Sequence, residues 1–155
     1  MFVAKSIRDD FKKILILMFL FIAFNCRAEK NVIYTIEDDD LTEIKDVNIL
    51  LILSRDASYK SFLDLKCTLV GKKILLSIRP DVQTYFLTTA DSCGWGASLG
   101  PIWIISKEKN DTNILFRGGG YALIRLRAFT KNMYDIEISI DNKYKLYKFN
   151  GNNYD

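Results

Sequence analysis

The chain predicts an α+β protein, mainly β: an antiparallel meander of about six to eight strands preceded by one or two helices. Three observations predict it. Period-two alternation runs from Cys67 to the C-terminus. Turn residues punctuate only that part, since all eight glycines lie from Gly71 onward and both prolines stand at 80 and 101. Apolar residues at helical spacing occur only before it.

Residues 31–36, "NVIYTI", predict a short strand. In "EDDDLTEIKDVNILLIL", Asp40 with Glu43 three residues later makes a capping box, and Leu41, Ile44, Val47, Leu50 and Leu51 recur with helical period. A helix is expected over 41–53, although "NILLIL" alone also suits a buried strand. Tyr59, Phe62 and Leu63 predict a second, short helix. "KCTLVGKKILLSI" predicts a hairpin turning at Gly71-Lys72, and "TYFLTT" a strand. "PIWIIS" is another strand, with Pro101 at its entry, where a missing N–H does least harm. After the polar turn "KEKNDT", "NILFR" returns until Gly118-Gly119-Gly120 breaks it as a bulge or tight bend. "YALIRLRAF" alternates, with Ala122, Ile124, Leu126 and Ala128 on one face and Leu123, Arg125, Arg127 and Phe129 on the other. "TKNM" turns, "DIEISI" points Ile136, Ile138 and Ile140 inward, and "YKLYKF" leads into the strong turn signal Asn150-Gly151. Such strands suit a half-solvated sheet or a small sandwich.

Residues 1–28 have the form of a secretory signal peptide. Lys5, Arg8, Lys12 and Lys13 precede an apolar run of 11 residues, Ile14 to Phe24. That run is short of the roughly 20 residues a spanning helix needs. Cys26 and Ala28 set small residues at the positions required for a cut after Ala28. A lipoprotein cut before Cys26 fits less well, because Asn25 stands where that site wants a small residue. Residues 29–155 are then expected as a single periplasmic β-rich domain, with no membrane attachment after cleavage.

Removing the leader changes the charge balance. The chain has 22 Lys+Arg and 19 Asp+Glu; five basic and two acidic residues lie in 1–28, leaving 17 of each. A nucleic-acid binder would keep a basic excess in its folded part, so no nucleic-acid partner is expected. Export leaves Cys67 and Cys93 as an even pair in an oxidising compartment, either as a disulfide or as two buried thiols.

Gly96-Ala97-Ser98-Leu99-Gly100 fits the G-x-S-x-G elbow of a hydrolase. A strand rather than a helix follows Ser98, and the chain contains no histidine to serve as its base. Ser106-x-x-Lys109 falls in a polar turn. The same lack of imidazole removes the commonest acid–base and metal ligand. The acidic cluster Glu37, Asp38, Asp39, Asp40 and Glu43 lacks the glycine and alternating oxygens of a calcium loop. No enzyme activity, metal or cofactor is expected; a hydrolase using Ser98 or carboxylates, and a structural envelope lipoprotein, are the alternatives. Gly118–Gly120 is no phosphate loop, since no G-K-[ST] follows. Trp95, flanked by Gly94 and Gly96 and close to Ser98, is the candidate binding anchor, set against a packed lid. Arg125 and Arg127 form a second candidate patch, set against the ordinary wet face of a sheet.

The run "YFLTTADSCGWGASLGPIWII", "GGGYALIRL", "YDIEI" and "YKFNGNNY" resembles a recurring type of small exported bacterial β-rich protein over about the last 75 residues. The shared layout is a Cys-Gly loop, an aromatic strand, a Gly-aromatic strand, an Asp-Ile strand and a closing Y-x-F-x-G-x-x-Y hairpin. The resemblance implies a secreted β-rich domain and no particular chemistry. The second cysteine that many of these carry in the loop is missing here, which favours Cys67 as the partner of Cys93. The expected function is protein binding, as an inhibitor or immunity protein against a toxin delivered to the envelope.

Overall fold

Hydrogen-bonded alternation sorts the strands into two sheets. The structure, a computed structural model, describes residues 31–155 except Ser98 and Asn110. The expected leader, Cys26 and Ser98 therefore lie outside the described residues. In chain order the elements are β1 (Val32–Thr35), β2 (Thr42–Glu43), α1 (Val47–Ser54), α2 (Lys60–Asp64), β3 (Leu69–Ile74), β4 (Val82–Thr89), a 3₁₀ turn (Ala90–Ser92), β5 (Gly100–Glu108), β6 (Asp111–Gly120), β7 (Ala122–Thr130), β8 (Met133–Ile140) and β9 (Lys143–Tyr147). One antiparallel sheet has the order β2-β3-β4-β5-β6 and the other β1-β7-β8-β9. The mainly β, α+β class is the one the sequence predicts. The β-strands run in two sheets rather than one meander, and β1 and β2 precede the helices.

Two cores explain the layering. Phe86, Ile102, Ile104 and Phe116 of the five-stranded sheet meet Leu123, Ile136 and Ile138 of the four-stranded sheet in one apolar cluster. On the opposite face of the five-stranded sheet, Leu69, Leu87, Trp103 and Ile105 pack against Ile49 and Leu53 of α1, Tyr59 at the start of α2 and Phe62 within it. Helices, sheet and sheet thus form three layers. β5 lies in the middle and is buried from Gly100 to Ser106. That is why "GPIWII" reads as an apolar run instead of an alternation. In β8, Ile136 and Ile138 are fully buried, as the alternation predicts. Tight turns close the hairpins: Lys131-Asn132 and Asp141-Asn142 all have positive φ, the geometry of a two-residue hairpin loop.

Three local expectations are corrected. The first helix starts at Val47, not 41. Its N-cap is Asp46, whose carboxylate accepts from the N–H groups of Asn48 at 3.0 Å and Ile49 at 3.2 Å. Asp40, the expected cap, instead holds Lys72 Nζ at 2.7 Å, and Thr42–Glu43 pairs with Gly71 and Val70 as an edge strand. Gly71-Lys72 is not a hairpin turn. β3 runs straight through it, and a Cβ at Gly71 would stand 2.4 Å from the Phe86 carbonyl oxygen. The glycine is there for close backbone approach. Gly118–Gly120 does not break β6. These glycines pair with Ile102, Pro101 and Gly100, the bulge falls at Leu115, and the chain crosses to the other sheet only at Tyr121.

Candidate functional site

The two glycine-rich stretches that look unrelated in the sequence become neighbours. Pairing of Gly100 with Gly120 and of Pro101 with Gly119 sets the start of β5 beside the end of β6. The disulfide Cys67–Cys93, with Cα atoms 5.5 Å apart, anchors the loop that leads into β5. By the chain-entropy model, a crosslink over a separation of 26 residues contributes roughly 3–4 kcal/mol. It also marks an oxidising compartment. Among the described residues, no helix is long and apolar enough to cross a membrane.

Trp95 follows this crosslink and is half-buried. Its Nε1 donates to Thr89 Oγ1 at 2.9 Å, and that hydroxyl donates to the Cys93 carbonyl at 2.7 Å. The indole packs against the inter-sheet core and fills the space beside Gly100, where a Cβ would meet it at 2.8 Å. Trp95 is therefore held as a lid over one end of the sandwich. Gly94 has positive φ and lies against Phe62, while Gly96 is exposed with open space around it. Ser98, between them and Gly100, is outside the described residues.

A groove of about 350 Å³ opens on the other side of this loop, lined by Ser58, Phe62, Gly94, Pro101, Trp103 and Gly119. Its floor is the Trp103 indole, which meets Phe62 and Tyr59 edge-on at 5.3 Å. A hydrogen-bond chain stiffens one wall. Trp103 Nε1 donates to Ser58 Oγ at 2.9 Å, the Ser58 N–H donates to Asp56 at 3.0 Å, and Arg117 Nε donates to Asp56 at 2.6 Å. Burial pushes the Asp56 carboxyl up, but the hydrogen bonds from Ser58 and Arg117 prevail and hold it below its ordinary value.

β6 is the edge of its sheet. Its middle is covered, since Tyr154 donates its N–H to the Leu115 carbonyl at 2.8 Å. Past that point Arg117, Gly118 and Gly119 are exposed. The end of β6 is thus an open edge without side chains, beside an aromatic groove. Phe62, Pro101 and Arg117 are the groove residues that sequence reasoning missed. No local signal marks them, because they meet only through strand pairing and helix packing.

The arginine pair is not a patch. Arg125 is 5% exposed and lies on the inner face, its guanidinium 4.5 Å from the centre of the Tyr134 ring. Pairing with Ile136 turns Leu123 and Arg125 inward, so the apolar residues Ala122 and Ile124 take the outer face. Arg127 is exposed, within the irregular stretch between Arg125 and Phe129. The acidic cluster serves as a latch: Asp38 and Asp40 each hold Lys72 Nζ at 2.7 Å. Among the described residues, no group of three or more Cys, Asp or Glu side chains is arranged to hold a metal. Comparison with known proteins found no match to this chain among family models, curated proteins or solved structures.

Proposed function

We propose that the chain is an exported periplasmic domain that works by contact: it holds a partner protein at the open end of β6. One observation carries this. Exposed Gly118-Gly119 backbone lies beside the Phe62–Trp103 groove, which suits an extended segment added along an edge with one side chain in the adjoining pocket. The exposed Leu65, beside Gly94 of the groove, adds apolar surface toward the roughly 800 Å² per partner of a standard interface. A leader cut after Ala28 delivers the domain, and the disulfide agrees with that route. In its sharper form the role is that of an inhibitor or immunity protein against a toxin reaching the envelope.

Gly119→Lys tests the edge. A Cβ at Gly119 meets only the Gly100 carbonyl oxygen, at an ordinary 3.6 Å, so the fold accommodates it. A lysine there blocks strand addition. A partner crosslinked from an envelope extract is purified, and its affinity is measured by titration against both forms. The variant is expected to lose binding at least about a hundredfold, and equal affinity refutes the edge. Covalent labelling by a serine-reactive probe, lost in Ser98→Ala, overturns the contact role altogether.

A further inference from the structure

The inner face of the five-stranded sheet changes character along its length. Phe86 on β4 and Ile102 and Ile104 on β5 face the other sheet in the apolar core. Two residues on, the same face carries Ser106 and Asn113, which stand opposite one another on β5 and β6. Thr84 beside them on β4 is buried and tied to the end of β3, donating to the Ile74 carbonyl at 2.6 Å and accepting from the Leu76 N–H at 3.1 Å. A sandwich interior has no packing reason to turn polar. Here the sheets part, and a cleft of about 520 Å³ opens between them. That volume is in the range of small-molecule sites.

Three segments close the cleft. Ser77 comes from the β3–β4 connection, Asn132 and Met133 from the β7–β8 turn, and Phe149 and Asn152 from the C-terminal turn. Backbone pairing holds them: Ser77 bridges to Met133, and Tyr134 donates its N–H to the Leu76 carbonyl at 2.7 Å. Ser106 at its floor is 8% exposed. The charges at the mouth cancel. Arg79 is gripped by Asp81, at 2.7 and 3.2 Å, and by Glu108, while Lys131 donates to the Asn150 carbonyl. Two cations stand with two carboxylates, which leaves no surplus to draw an anion.

We infer that this cleft binds a neutral saccharide of one or two rings, bearing hydroxyl and acetamido groups. Serine hydroxyls and asparagine amides both donate and accept, as such a ligand requires. Phe149, half-buried against the core, supplies aromatic surface to the lining for the C–H side of a sugar ring. The polar groups project from a sheet face, unlike the bare backbone edge that strand addition uses. The site is separate from the groove and stands whether or not a protein docks there.

Titration of the disulfide-bonded protein with N,N′-diacetylchitobiose, followed in ¹H–¹⁵N spectra, tests it. Saturable shifts are expected around Ser106, Asn113 and Asn132. Asn113→Ala on the exposed rim, and Ser106→Leu filling the floor, are expected to weaken binding about tenfold or more. The dispersion of each variant's spectrum reports its fold, and Asn113→Ala alone suffices if Ser106→Leu does not fold. Gly119→Lys leaves the titration unchanged. The proposal is overturned by no saturable shift, by an equal response to triglycine or galacturonic acid, or by undiminished binding in Asn113→Ala.

Discussion

The two sheets share one core but differ on their outer faces. The five-stranded sheet is roofed by α1 and α2, so β5 is buried on both sides. The four-stranded sheet has no such roof among the described residues: Ile33 is 58% exposed and Tyr144 62%. The difference shows in how stability is distributed. Side chains of β5 have neighbours on every side, whereas half of those on β1 and β9 have a single packed flank. Both functional candidates belong to the roofed sheet. The groove lies where roof and β6 meet, and the cleft lies where the inner face turns polar.

Substitutions can break or sharpen this contrast. Trp103→Ala should have the largest effect, since the indole is 1% exposed and supports both the roof and the groove. A loss of about 3–5 kcal/mol in denaturant unfolding is expected. Removing the crosslink with Cys67→Ser should cost roughly 3–4 kcal/mol by the same measurement, because it frees the end of the roof from the loop after β4.

Asp46→Ala should cost about 1 kcal/mol, by uncapping α1. Its pH dependence is directional. The hydrogen bond from Lys107 holds the Asp46 carboxyl below its ordinary value, against burial, with help from the N–H groups of Ile49 and Asn48. The unfolded chain therefore takes up the proton first as acid is added. The contribution is complete above the unfolded value near 4 and disappears as pH falls through the folded one. Wild type and Asp46→Ala should accordingly converge in strong acid, and a constant gap across pH refutes the ion-pair contribution. Ile33→Ser or Tyr144→Ser on the bare face should shift stability by no more than about 0.5 kcal/mol. A larger loss would mean that this face is covered in solution, and the contrast between the sheets would fall.

Much of the four-stranded sheet was legible in advance. Ile136 and Ile138 alternate with Glu137, and the turns at Lys131-Asn132 and Asn150-Gly151 lie where their residues predict. Its one misleading strand was β7, because either face of "ALIRLRAF" suits a core on composition alone. The roofed sheet was less legible. Gly71 signals a turn as readily as a close approach, and Asp40 looks as good a cap as Asp46. The candidate site was legible only in its loop, from Gly94 to Gly96. Phe62, Arg117 and Gly119 joined it through contacts that span tens of residues.

Local chemistry by itself determined the alternation of β8, the turns at Lys131-Asn132 and Asn150-Gly151 and the presence of an even pair of cysteines after the leader, since each depends on neighbours in the chain or on a count of thiols. Which face of β7 turns inward, which aspartate caps α1, and where the β6 edge stays open were decided only by the packed sheets. Those outcomes depend on cross-strand partners and on the volume left between layers, and neither quantity exists until the layers meet.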